Sequence, residues 1–134
     1  MRARCITMMV LWLLVAGVAL ASDVELDPHA FRSVTVENVA LQGDTVTGVV
    51  ANTSARGVRD VQLEITYGWL WKNERHPGTD NPGRTDLYTL PGEISAGGSK
   101  PFSYRPQSPL QNRSDGTFVP SAAVVGYTEI IPPP

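Results

Sequence analysis

Val58-Arg59-Asp60-Val61-Gln62-Leu63-Glu64-Ile65-Thr66-Tyr67-Gly68-Trp69-Leu70-Trp71 is the stretch whose reading decides the fold. Val61, Leu63, Ile65, Tyr67, Trp69 and Trp71 fall on one parity, and Gln62, Glu64 and Thr66 on the other. Successive side chains of a strand point to opposite faces, so this is a strand with one face in a core. Fully straight, fourteen residues at about 3.3 Å each would reach about 46 Å, long beside a domain radius of gyration of about 13 Å. Pairing is therefore expected to begin near Val61, or the strand to bend at Gly68, where a bulge would shift the parity of the residues after it. On that reading Val61, Leu63, Ile65 and Tyr67 are core, and Trp69 to Trp71 mark the strand's exit.

Working outward toward the N-terminus, Asn52 to Gly57 (NTSARG) is a turn-forming cluster and Thr45 to Ala51 a strand. Within that strand Gly48 signals a close backbone approach or a bulge. Gln42-Gly43-Asp44 is a turn, and Ser33 to Val39 a first strand with Val34, Val36 and Asn38 on one face.

Toward the C-terminus, Lys72 to Arg84 (KNERHPGTDNPGR) has no aliphatic or aromatic residue and reads as a long exposed loop. Thr85 to Leu90 is strand-like, Pro91-Gly92 turns, and Ile94 to Gly98 is a second turn-rich connection before a short strand at Phe102 and Tyr104. Gln107 to Gly116 is a polar loop. Thr117 to Ile131 holds a last strand or strand pair, divided at Pro120. Short alternating segments set apart by Gly, Pro and Asn turns, with no amphipathic helix, predict an all-β fold: an antiparallel immunoglobulin-like β-sandwich of six to seven strands.

The first segment does not belong to that core. Arg2 and Arg4 precede an apolar run from Ile6 to Val18, and Ala19-Leu20-Ala21 is a small-x-small site. This is the pattern of a secretory signal peptide cleaved before Ser22. Ile6 to Ala21 is shorter than the roughly 20 residues that span a bilayer comfortably. The expected division is a signal peptide at 1–21, an N-terminal arm at 22–32, the β-sandwich at 33–131 and a proline tail at 132–134. Cleavage would remove the single cysteine, all three methionines and one of the three tryptophans, leaving 113 of 134 residues with 9 basic against 13 acidic. Such a chain has no disulfide, thiolate nucleophile or thioether ligand, and its acidic balance argues against nucleic acid and anionic membrane. Membrane contact is expected only through the signal peptide during export, to a periplasm or the cell exterior.

The chain resembles the exported bacterial and archaeal sandwich modules of the FxLYD type. The residues that carry the likeness are Thr47 to Ser54 (TGVVANTS), the strand Val58 to Ile65 after the Asn turn, and Ile94 to Phe102 (ISAGGSKPF) before the late strand. Tyr67-Gly68-Trp69-Leu70-Trp71 stands where the family's aromatic-x-Leu-Tyr-Asp motif would fall, a departure from it. The resemblance implies an exported β-sandwich without a defined chemical activity, and it transfers no catalytic residue.

The inventory for chemistry is short. No G-x-S-x-G, H-E-x-x-H or phosphate-cradling glycine motif is present, and after cleavage only His29 and His76 remain. Asp23, Glu25, Asp27 and His29 would line one side of an extended arm, but ligands in a row do not converge on a cation. His76 with Asp80 or Glu74 is two ligands, not a coordination set. Neither a metal nor another cofactor is expected, and a small hydrolase built on paired carboxylates is an alternative. Asn52-Thr53-Ser54 and Asn112-Arg113-Ser114 match the glycosylation sequon. Binding is the favoured function: Trp69 and Trp71 abut a loop bearing Arg75, His76 and Arg84, and aromatic residues with arginine are enriched at interaction hot spots. The competing reading places the tryptophans, Trp69 first, in the core. The expected partner is a protein or envelope component, with a glycan as the alternative.

Overall fold

The computed structural model describes residues 32–134, so the signal peptide expected at 1–21 and nearly all of the arm lie outside the described residues. Six strands follow one another: β1 (Val34–Gln42), β2 (Thr45–Asn52), β3 (Val58–Trp71), β4 (Arg84–Ile94), β5 (Ser99–Tyr104) and β6 (Gly116–Glu129). All pairings are antiparallel, in two sheets of strand order β1-β2-β5 and β4-β3-β6. This is the predicted all-β, antiparallel β-sandwich, with six strands.

β3 is the middle strand of its sheet, bonded on both edges, which accounts for its long alternation. Val61, Leu63, Ile65 and Tyr67 are buried against Val34, Val46 and Val50 of the opposite sheet. The expected bend at Gly68 does not occur. β3 stays paired with β6 from Val58↔Glu129 to Trp71↔Gly116, because β6 is itself 14 residues long. Past Tyr67↔Arg84, where β4 begins, the two run on as a two-stranded ribbon, and the length limit for a strand inside the core does not bind it.

The bulge lies at the other end of β3. Asp60 has φ 50° and falls in the register shift between Arg59↔Glu93 and Val61↔Leu90. Against β4 the extra residue of this shift is on β4, whereas against β6 it is on β3, between Arg59↔Thr128 and Gln62↔Gly126; that extra β3 residue flips parity, so Val58 joins Val61 in the core. Pro91-Gly92, expected to be a turn, is taken into β4 opposite this bulge, with Gly92 at φ 83°. β1 is corrected in the same way: Asn38, at φ 56°, is bulged rather than on the Val34 face, and Val39 and Leu41 pack on the core instead. Pro120 does not divide the last strand. It sits within β6, at the sheet's edge, where a missing N–H costs no ladder bond.

Gly48 is the predicted close approach. It lies opposite Phe102, and a Cβ there would stand 2.7 Å from Phe102 Cε1 and 3.1 Å from the Glu37 carbonyl. The bare backbone lets the Phe102 ring lie across β2 and close the core.

Asn52, at the end of β2, is the buried polar residue among the described ones. Its Nδ2 donates to the carbonyls of Arg56 (2.8 Å), Ser95 (3.1 Å) and Ile94 (3.3 Å). Its Oδ1 accepts from Ser54 N (3.0 Å) and Ser54 Oγ (2.6 Å), and its N–H donates to Gly98 O at 2.8 Å. The side chain thus joins the β2–β3 and β4–β5 crossings between sheets. Replacing Asn52 by Ala strands the buried Ile94 carbonyl and removes the part-buried bonds to Arg56 and Ser95; it is expected to cost about 2 kcal/mol, read as a lower urea midpoint at unchanged m. Because that amide is committed, folded protein secreted from a glycosylating host is expected to carry sugar at Asn112 and none at Asn52, which mass mapping of glycopeptides checks.

Candidate functional site

The opposite end of the sandwich gathers the β1–β2 turn, the loop 72–83 and the loop 105–115. There the β3–β6 ribbon carries Trp69 and Trp71, two residues apart and so on the same, inward face. Their rings meet edge to face at 5.7 Å, and Trp69 meets Phe118 of β6 at 4.8 Å. Arg113 lies over both indoles, at 5.3 and 5.4 Å. Its guanidinium forks onto Asp115 (Nε 2.9 Å, Nη2 2.6 Å) and onto Asp80 (Nη1 2.5 Å, Nη2 3.3 Å). Although both carboxylates are half-exposed, the Arg113 side chain is only 18% exposed. Asp80 belongs to the loop 72–83, so one cation closes that loop onto the ribbon. Gly78 completes the closure: a Cβ there would stand 2.6 Å from Trp71 Cη2. Among the described residues the buried Nε1 of Trp69 has no hydrogen-bond partner, so packing positions the ring, Gly116 included, where a Cβ would stand 2.5 Å from Trp69 Cζ2.

Arg113 holds the carboxyls of Asp80 and Asp115 below the ordinary carboxylate range, chiefly through its hydrogen bonds to them. The same bonds, Asp115 first, raise its own pKa further. Two carboxylates share this site, but a guanidinium lies between them. The arrangement keeps both ionised and supplies no proton donor of the kind a hydrolase needs.

A second feature lies beside the first, where the sheets part between β4 and β5. A groove of about 980 Å³ is lined by Arg84 to Thr89 of β4 and by Ser103, Tyr104 and the residues just beyond β5. β4 pairs only with β3, and β5 only with β2, among the described residues, so both strands present an unpaired edge here. Period 2 sets Arg84, Asp86 and Tyr88 in one row ending at buried Leu90. Arg84 Nη2 donates to Asp86 Oδ2 at 3.0 Å, and Tyr104 Oη donates to the same oxygen at 2.8 Å. Tyr88 and Tyr104 lie ring to ring at 5.2 Å, tilted by 45°. Arg84 also covers the Tyr67 ring at 5.7 Å, and its Nε is buried without a partner.

Burial, followed by the bond to Asp86, pushes Tyr104 up to about 12. Burial first, then the neighbouring Tyr104 and Asp86, does the same to Tyr67, whose hydroxyl donates to the Asp44 carbonyl at 3.1 Å. Both phenols remain donors at neutral pH.

The residues singled out from sequence are thus divided. Trp69 and Trp71 come together, half-buried. Arg75 and His76 are exposed on the loop, where Asn73 takes their backbone N–H groups at 3.1 Å. Arg84 is not in the loop: it opens β4 and faces the groove. The cation on the tryptophans is Arg113, which the sequence offered only inside a sequon. Its spacing of two from Asp115 was the available signal. The Arg84-Asp86-Tyr88 row was likewise visible as a period-2 set, although nothing local showed that it would flank an open edge. Among the described residues no group of three or more His, Cys, Asp or Glu is placed to hold a metal ion, and no helix is long and apolar enough to cross a membrane.

Comparison of the chain with known protein families, with curated proteins and with solved structures finds no match.

The Arg113 clamp sets an acid dependence. A carboxyl whose folded pKa is depressed stabilises the fold fully above its unfolded pKa, about 3.9 for Asp, and loses that contribution as pH falls through the folded value. Tryptophan emission is expected to stay constant down to about pH 4 and to shift red below it as the loop 72–83 releases. Arg113→Gln should give the red-shifted emission already at pH 7. An unshifted spectrum for this variant would show that the clamp does not hold the rings.

Proposed function

We propose that the chain is an exported, non-enzymatic binding module that takes an extended polypeptide of a protein or envelope partner along the β4–β5 groove. The observation that carries this reading is the groove itself, since it runs between two strand edges whose backbone groups on that side are unpaired. An extended peptide laid there gains main-chain bonds from an edge, and pockets for alternate side chains supply specificity. The groove has the parts for this: the Tyr88 and Tyr104 rings and the Arg84–Asp86 pair. Leu87, on the opposite face of β4, is 71% exposed and extends the apolar surface around that edge. Export to a periplasm or the cell exterior is supported by the basic, apolar and small-x-small order of residues 1–21. The FxLYD-type likeness draws support from the meeting of its quoted segments, Asn52 with Ile94 and Ser95, and Gly48 with Phe102.

A glycan reading is favoured by one observation. A hollow of about 440 Å³ beside Trp71 is lined by Leu70, Lys72, Ser114 and Thr117 as well, a mixture of apolar and hydroxyl groups suited to a sugar. Against it stands Arg113, which already covers the indole.

Selection from a displayed library of random extended peptides separates the two. Peptides recovered on the wild-type protein should perturb amide signals of residues 84–89 and 103–105, and Tyr88→Ala should weaken them about tenfold, as hot-spot truncation does. Binding to a glycan array that is lost in Trp71→Ala and kept in Tyr88→Ala would overturn the groove reading in favour of the sugar.

A further inference from the structure

The two edges that bound the β4–β5 groove are poorly suited to take a full strand. β4 carries Arg84, Asp86 and Glu93, and charge is a common means by which an edge strand is kept from pairing with another chain. β5 carries Pro101, and Pro106 follows it. Proline gives no N–H to a ladder, so the pair leaves Phe102 to Arg105 between them. Pro101 lies opposite Val49 of β2 and has no donor to give it, which sets the proline nitrogen toward the free edge. With a period of two, the N–H of Ser103 turns the same way, to the groove. These edges offer single main-chain bonds rather than a ladder.

The side chains of the lining give donors more freely than acceptors. Asp86 is the one carboxylate among the described lining residues. Its Oδ2 already accepts from Arg84 Nη2 at 3.0 Å and from Tyr104 Oη at 2.8 Å. The Arg105 side chain is 80% exposed, and Asp44 stands 3.9 Å from its Nε, beyond hydrogen-bond distance. Tyr88 and Gln107 add a hydroxyl and an amide. The Tyr88 and Tyr104 rings, 5.2 Å apart and tilted by 45°, form a wedge on the floor of the groove.

We infer that the occupant of the groove is a proline-rich segment of a partner chain, held as a polyproline II helix across the Tyr88 and Tyr104 rings. The inference rests on the groove reading and narrows it. An ordinary peptide brings one N–H per residue, which needs an acceptor when it is buried. Proline brings a carbonyl alone, and a donor-rich lining whose carboxylate is already taken can answer a carbonyl. The polyproline II helix has no internal hydrogen bonds, so its carbonyls accept freely from Tyr88 Oη, Ser103 N–H and Arg105. Aromatic-lined grooves recognise such segments because the helix is preformed and little entropy is lost on docking. From Arg84 to Thr89 the strand covers about 17 Å, which about five to six residues of the helix fill at about 3.1 Å each.

The test titrates a synthetic oligoproline of about ten residues into isotope-labelled protein purified in its processed form. Saturable shifts are expected at the amides of residues 84–89 and 103–105 and at the ring protons of Tyr88 and Tyr104. A proline-free peptide of equal length, alternating threonine and glutamine, should bind at least about tenfold more weakly. Tyr88→Ala should weaken the oligoproline about tenfold. Should that variant fail to fold, Tyr88→Phe, which keeps the ring and loses the donor, should weaken it about threefold or more. A proline-free peptide that shifts the same amides at equal or lower concentration overturns the inference and leaves the groove reading standing. Amides left unmoved by every peptide, library-selected ones included, remove both. Self-association through residues 132–134 that ceases in Tyr88→Ala overturns the partner chain and makes Pro132 to Pro134 of a second copy the occupant.

Discussion

The side-chain amide of Asn52 is the interaction on which the arrangement of this sandwich depends. Two sheets of three strands share a core of valine, leucine, isoleucine, one tyrosine and one phenylalanine, and burial of that kind is strong but without direction. What fixes how the sheets face each other is the set of bonds at the crossings, where the backbone leaves one ladder before entering the next and its carbonyls have no strand partner. Asn52 gathers the carbonyls of Arg56, Ile94 and Ser95 with one Nδ2. An unmet buried carbonyl costs more than a met one contributes, so this residue ties two crossings together through what its absence would leave unpaired.

The same end-to-end division places the two candidate sites. At the Asn52 end the connections are short and bonded into one another. At the other end the β3–β6 ribbon outruns β4, and its inward rings have no opposing sheet to cover them. The loop 72–83 folds over them instead, held by Arg113 between two indoles and two carboxylates. That clamp explains why an aromatic pair at a strand exit is not an open stacking platform here: its own chain already occupies the face that a ligand would use. The open surface lies one strand over, where β4 and β5 part and a polar row of Arg84, Asp86 and Tyr88 continues the inward face of β4 without a strand to seal it.

Bulges decide much of this. Asp60 and Asn38 each adopt a left-handed backbone, a conformation that Asn and Asp tolerate better than other non-glycine residues. Each inserts a residue that re-aims the strand. The consequence at Asp60 is that Val58 and Val61, of opposite parity, both reach the core. At Asn38, Val39 and Leu41 replace Asn38 as the inward residues. Alternation read along the sequence is broken at both places without any loss of apolar burial, and for that reason neither bulge shows in the pattern as an error.

The amino-acid sequence alone determined the all-β class, the inward set from Val61 to Tyr67, the turn clusters and the tight spot at Gly48, because period-2 patterning and turn chemistry are local properties of a backbone. Only the tertiary structure decided that β3 runs unbroken through Gly68, because that depended on β6 being equally long and paired with it along its length. Tertiary structure likewise decided which arginine meets the tryptophans: Asp80 and Arg113 lie 33 residues apart and come together only when two loops close over one ribbon. The groove belongs to the same class. Each of its residues is legible as strand, but an edge is defined by the strand that does not lie beside it, and strand order is set by which apolar faces pack across the whole chain.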